Sequence, residues 1–162
     1  MDTPTQVSSA PDDAIERHKE LARRFVERAL GMGDTAAFDE IVAEDVVVHS
    51  GLKPTGPIRG KEEYRRQLAE TLGRVFSDGV MTIDDVAATT DGRVVVRFTA
   101  AATHTGALWG IAPTGRRITM KEIHFMRFRD GELVENWVGG LNPLEFEMLF
   151  APAITAMLFE GR

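Results

Sequence analysis

Apolar and polar residues alternate most cleanly between Ile118 and Arg129. One side of the extended chain carries Ile118, Met120, Glu122, His124, Met126 and Phe128, and the other carries Thr119, Lys121, Ile123, Phe125, Arg127 and Arg129. A period of two predicts a strand with one buried face. Asp130-Gly131 follows as a strong hairpin signal. In the next strand, strict alternation groups Leu133, Glu135 and Trp137 against Val134, Asn136 and Val138. Upstream, Val94 to Thr105 is rich in β-branched residues and ends at Gly106, and Pro113-Thr114-Gly115 has the chemistry of a turn. The stretch therefore reads as three consecutive β-segments.

Helical spacing governs the first part of the chain. Ile15, Leu21, Ala22, Phe25, Val26, Ala29 and Leu30 form one stripe, with Asp12 or Asp13 as cap and Gly31 and Gly33 as stop. Asp34 caps a second, short helix holding Ala37, Phe38, Ile41 and Val42. Val46 to His49 reads as a short strand, and the loop from Ser50 to Gly60, with two prolines and three glycines, as an irregular pocket mouth. A third helix is expected from about Lys61 to Phe76, with Tyr64, Leu68, Leu72 and Val75 inward. Strands from Val80 to Val86 and from Arg93 onward would turn at Asp91-Gly92. After Trp137 the pattern is expected to break over Val138 to Pro143. A final helix, apolar nearly all round and interrupted by Pro152, then needs cover from its own pocket or from a second subunit, which would make a homodimer.

Helices followed by a run of antiparallel strands predict an α+β fold. A strongly curved sheet wrapped around about three N-terminal helices would make a cone-shaped barrel with an interior cavity. Residues 1–12 are small and polar and read as a disordered tail, leaving 13–162 as a single domain.

Composition narrows the partners. A net charge of −6, with no basic run interleaved with aromatics, speaks against nucleic acid. The chain has no cysteine, which excludes disulfides and thiolate chemistry and suits a cytoplasmic setting. Neither a signal peptide nor a membrane-spanning segment is expected.

Candidate chemistry lies where polar residues interrupt apolar faces. Glu122 and His124 stand between Met120, Met126 and Phe128, and Glu135 between Leu133 and Trp137. A buried carboxylate without a partner is costly, so these residues either wall a pocket or satisfy each other inside an ordinary core. His104 falls in register with Phe98, Ala100 and Ala102, whose small members leave room beside it. Histidine changes charge near neutral pH and can orient with, or be oriented by, a nearby glutamate. His49 ends its strand at the rim of any cavity, while His18 reads as solvated surface. Trp109 and Trp137 either pack or wall a site for a flat ligand. His104, Glu122 and His124 are metal-ligand types, but their spacing is not distinctive and no metal site is assigned. No nucleophile elbow, phosphate loop or dinucleotide fingerprint is present.

The stretch THTGALWGIAPTGRRITMKEIHFMRFRDGELVENW resembles the signature of the SnoaL-like polyketide cyclases, within the nuclear-transport-factor-2-like superfamily. The resemblance runs from roughly Ala14 to Trp137. It implies a conical α+β barrel around a deep apolar pocket, with no metal and no organic cofactor, that binds a small apolar or aromatic ligand. Its best-known members close a polyketide ring by intramolecular aldol condensation, using an acidic residue beyond the tryptophan. Here Val138, Gly139, Gly140, Leu141 and Asn142 follow Trp137, and no carboxylate appears until Glu145. The expectation is therefore a cyclase in which His104 and Glu135 or Glu122 move the proton, with His124 as a further acid/base candidate. His49, Trp109, Trp137, Met120, Met126 and Phe98 would contact substrate. The alternatives are epoxide-opening ether formation or hydrolysis in the same pocket, and ligand binding without chemistry.

Overall fold

The computed structural model describes residues 10–140 and 144–160. Helix α1 (Ala10–Arg24) continues into a π-helical stretch, Phe25–Gly31. It already covers Ala10 to Asp12, and the rest of the expected tail lies outside the described residues. Asp34 then caps α2 (Thr35–Ile41), accepting a 3.0 Å hydrogen bond from the Ala37 N–H. Strand β1 (Val42–His49) starts directly at the end of α2, four residues before the expected Val46. The pocket-mouth loop contains a short strand, β2 (Ile58–Arg59), paired antiparallel to β1.

Helix α3 (Lys61–Leu68) also ends in a π-helical stretch, Ala69–Gly73. Four long strands follow: β3 (Phe76–Ala88), β4 (Val94–His104), β5 (Arg117–Arg129) and β6 (Glu132–Gly140). Helix α4 (Leu144–Thr155), with Pro152 inside it, closes the described chain through a π-helical turn, Ala156–Glu160. None of these helices is long and apolar enough to cross a membrane.

The strands form one open sheet in the order β2-β1-β6-β5-β4-β3. All described pairings are antiparallel except β1 against β6, which is parallel. The helices lie on its inner face. Phe25, Val26, Phe38, Ile41 and Tyr64 pack into one core with Val96, Phe98, Met126 and Leu133. This is the expected α+β cone, with the sheet left unclosed.

The hairpins follow their turn chemistry. Asp130 and Gly131 both take positive φ, at 54° and 84°, as a tight turn between β5 and β6 requires. At the far end of the sheet, the N–H groups of Thr105 and Gly106 both donate to the Val75 carbonyl, at 2.8 and 2.9 Å. A Cβ at Gly106 would fall 1.9 Å from the Arg74 oxygen, so only glycine admits this approach.

One irregularity decides what faces inward. Arg127 pairs with Glu135, but Phe128 pairs with Leu133, so Val134 is an extra residue in β6. Such a β-bulge reverses the faces beyond it. Leu133 is buried as alternation predicts, but Asn136 rather than Glu135 and Trp137 continues the inner face. The strand also outruns the expected break at Trp137. Gly139 and Gly140 pair with Ile123 and Glu122, and partners on β5 outweigh the weak strand preference of glycine.

Asp34 offers a stability test away from any site. The Ala37 N–H and the Arg28 side chain hold its carboxyl below the ordinary 3.8. The folded state thus favours the charged form. Its contribution is present above pH 3.8 and is lost as pH falls through the lowered value. Asp34→Ala is expected to lower Tm at neutral pH, and the gap to wild type should close in acid, as thermal melts across pH will read.

Candidate active site

The inner faces of β5 and β6, α3 and the loop after β4 enclose a cavity of about 190 Å3. Tyr64, Thr71, Trp109, Met120, Glu122 and His124 are among its walls. Ser50 to Leu52, directly after β1, edge it, and Ile154 of α4 touches it. Trp109 reaches it from a tight turn in which Trp109 and Gly110 both take positive φ, 49° and 81°. Leu108 and Ile111 exchange backbone hydrogen bonds across that turn, at 3.1 and 2.9 Å. The Trp109 ring also stands edge-on to Phe150 of α4, 5.7 Å between centroids.

Two polar side chains of this wall, Glu122 and His124, are connected. Glu122 and His124 share the inner face of β5, and the Glu122 carboxylate lies 3.1 Å from His124 Nε2. The other ring nitrogen, Nδ1, lies 3.2 Å from the Asn136 amide nitrogen. An amide N–H can only donate, so Nδ1 accepts, which puts the ring hydrogen on Nε2, where it donates to the carboxylate. Phe98 stands edge-on to the ring at 5.0 Å and fixes its plane. Asn136 is buried, with its carbonyl oxygen unpartnered among the described residues.

The Tyr64 hydroxyl completes the group from α3. Burial pushes its phenol well above the ordinary 10.0; a donor contact from Asn136 opposes this, and the Glu122 charge adds to it. Tyr64 therefore stays protonated and can donate. In the Glu122 carboxylate, 23% exposed, the wall holds a base next to that donor, while His124 is 3% exposed and serves as its anchor. The arrangement can take a proton from a ligand in the cavity and stabilise a negative oxygen beside it.

Glu122, His124, Met120 and Trp109, expected from the sequence in a pocket, all line this cavity. Phe98 lies behind His124 and lines a neighbouring cavity instead. Met126 is fully buried in the core. Tyr64 was visible only as an inward helix residue, and Asn136 was assigned to the wrong face because nothing in the sequence marks the bulge at Val134.

Three more expected site residues, Glu135, Trp137 and His49, cluster away from the cavity. Glu135 is on the outer face, where its carboxylate accepts from Arg127 Nε and from the Trp137 indole N–H, each at 3.1 Å. The Arg127 bond, first, and the Trp137 bond hold its carboxyl below the ordinary range, although burial opposes them. Trp137 is 49% exposed and stacks on His49, with ring centroids 3.6 Å apart and planes 8° from parallel. Beyond the bulge these three belong to one outer cluster. Glu135→Gln is accordingly expected to leave turnover at the wild-type level, as steady-state kinetics will check; a loss as deep as that of a cavity variant would return Glu135 to the chemistry.

His104 is fully buried but does not line the cavity. Its Nδ1 accepts from the Thr114 N–H at 3.3 Å and lies 3.0 Å from the Thr114 hydroxyl, while its backbone bonds Gly115 and Arg116. Phe76 and Phe150 flank the ring at 5.8 and 5.7 Å. It anchors the end of the loop that carries Trp109. Among the described residues, no cluster of histidine and carboxylate side chains is arranged to hold a metal ion.

Comparison with known proteins agrees with this architecture. No curated protein matches the chain. Among solved structures, AclR from Streptomyces galilaeus, a candidate hydroxylase, is 25% identical with a TM-score of 0.68, over 85% of this chain and 86% of that one. IdmH from Streptomyces antibioticus, a candidate polyketide cyclase, is 28% identical with a TM-score of 0.61, over 82% and 92%. A candidate SnoaL-like polyketide cyclase from Jannaschia sp. CCS1 shares the fold at a TM-score of 0.70 and 18% identity, over 85% and 92%. The sequence profile of the SnoaL-like polyketide cyclases matches residues 20–139, a span running from α1 to β6 and containing Tyr64, Glu122, His124 and Asn136. With most of the fold and every polar member of the cavity inside that match, the chain belongs to the SnoaL-like polyketide cyclase family.

Proposed function

We propose that the protein is a cyclase that closes a ring in a polyketide-like natural-product intermediate by intramolecular aldol chemistry. The observation that carries this reading is the Glu122–His124 pair, held from behind by Asn136, beside the Tyr64 hydroxyl in the wall of a largely apolar cavity. Glu122 removes a proton from the carbon next to a substrate carbonyl, and the enolate carbon attacks a second carbonyl of the same molecule. One C–H bond breaks and one C–C bond forms. The proton held by Glu122 passes to the new alkoxide, which restores the carboxylate. His124 Nε2–H keeps the carboxylate aimed, and Tyr64 donates to the oxygen that gains charge. A folded substrate already holds its two carbonyls together, so proximity lowers much of the remaining barrier.

The missing acid beyond Trp137 fits this assignment. The inward positions there are Val138 and Gly140, which pair with His124 and Glu122. The carboxylate in this reading comes from the neighbouring strand. The homodimer expectation is part of the proposal: Phe125 and Trp137 on the outer sheet face, and Met157, Leu158 and Phe159 after α4, are exposed apolar surface. Light scattering should give twice the chain mass.

The test of function is a panel of flat aromatic polyketides and β-diketones, screened by thermal shift and followed by mass-resolved chromatography. The expected result is a ligand that wild type converts to a cyclised isomer. Binding without conversion across the panel would overturn the cyclase and favour a small-molecule carrier.

A further inference from the structure

A second cavity, of about 260 Å3, lies against the first. The two share Leu30, Leu72, Phe76, Met120 and Glu122 as walls. They differ sharply in chemistry. The first has Ser50, Tyr64, Thr71 and His124 among its side chains, whereas among the described residues Glu122, on the shared wall, is the one polar side chain lining the second. The second is otherwise built from small and apolar residues, including Met81 and Phe98 and the run Ala100 to Ala102 on β4.

Its rim is open. Gly33 and Gly79 border it, and no atom lies within 4 Å of where a Cβ would stand at either. The first cavity alone, near 190 Å3, falls below the roughly 300–1,000 Å3 usual for small-molecule sites, and the two taken together fall within it. Leu30 and Leu72 stand between them, and each belongs to a π-helical stretch, Phe25–Gly31 and Ala69–Gly73. Wide helical turns of this kind recur at functional sites.

We infer that the two cavities form one elongated site, and that the substrate has a polar reacting head at Glu122 and Tyr64 and an unbranched apolar tail that passes Leu30 and Leu72 into the chamber beneath Ala100 and Ala102. This rests on the cyclase reading for the identity of the head, but the tail chamber stands on its own lining. The substrate class is a linear β-dicarbonyl compound that carries a further carbonyl placed to close a six-membered ring, together with an alkyl chain, rather than a compact polycycle.

The experiment is calorimetric titration with β-diketones that carry a phenyl group at one end and an alkyl tail from methyl to octyl at the other. Affinity should rise about fourfold per methylene while the chamber fills. Ala102→Leu, which puts a side chain into the chamber, should flatten that slope, and Ala102→Val should flatten it in part and keeps the test available if the leucine variant fails to fold. Flat affinity along the series in wild type, or a slope unchanged in either folded variant, would overturn the elongated site. The phenyl diketones report binding only, and ring closure is read on the polyketides of the functional panel: tail-dependent affinity without ring closure of any polyketide would sink the cyclase reading and leave the tail chamber in place; ring closure with flat affinity would do the reverse.

Discussion

Glu122→Gln is expected to abolish most turnover while leaving substrate affinity close to wild type. Glutamine keeps the shape of the side chain, and its carbonyl oxygen still accepts from His124 Nε2, 3.1 Å away in the native pair. What it removes is the lone pair that takes the proton. A positioned acid or base contributes about 10²–10⁴-fold, so kcat should fall by that factor, equivalent to about 3–5 kcal/mol of barrier. KM should move little, because the carboxylate meets the substrate at a C–H bond that contributes little to ground-state binding. Steady-state kinetics on a converted member of the ligand panel reads both quantities. A drop in affinity with kcat preserved would make Glu122 a binding group and remove it from the chemistry.

Tyr64→Phe should produce the next largest loss. The hydroxyl is buried against the Asn136 amide and the Glu122 charge, and it stays protonated because burial raises its pKa above 10.0. Removing one donor to a developing oxyanion costs about 10²–10³ in kcat. The substitution also carries a stability signature. The native state holds this proton above pH 10.0, where an unfolded tyrosine begins to lose its own. Native protein therefore binds more protons than unfolded there, and stability falls as pH rises beyond 10.0. In the phenylalanine variant that alkaline decline should be shallower. Melting curves from neutral to strongly alkaline pH will show whether the two profiles diverge; parallel profiles would mean the hydroxyl is not held in its neutral form.

Much of this was legible in the sequence, and what was not legible has two physical causes. The inner face of β5 could be read residue by residue, because a strand buried on one side must alternate, and Ile118 to Phe128 do so except at Glu122 and Ile123, which are both half-buried. The Asp130-Gly131 turn and the Asp34 cap were equally legible, since each rests on chemistry local to a few residues. Strand β6 was misread after Leu133. One extra residue at Val134 reverses every face beyond it, and an insertion of that kind costs little locally and leaves no mark in composition. The error turned Glu135 and Trp137 toward a cavity they do not line, and it hid Asn136; His49, expected at a cavity rim from its place at the end of β1, instead stacks on Trp137.

His104 stands apart from the cavity for another reason. Its alternation was read correctly, and it is fully buried, but the walls that Phe76 and Phe150 place around it come from distant segments. Tyr64 was identified as inward, yet only the approach of α3 to β6 brings its hydroxyl to Asn136. Burial can be inferred from a pattern; which buried residues share a cavity depends on packing between elements.

Proton abstraction at Glu122 is the centre of the account, and it can be observed apart from ring closure. A bound β-diketone in deuterated water should exchange the hydrogens between its carbonyls faster with wild-type protein than without it, followed by proton NMR. Glu122→Gln should bind the same ligand and leave the exchange at the uncatalysed rate, while Glu135→Gln should exchange as wild type does. Undiminished exchange in Glu122→Gln, or its loss in Glu135→Gln, would contradict the assignment and move the base to the other face of the sheet or out of the cavity altogether.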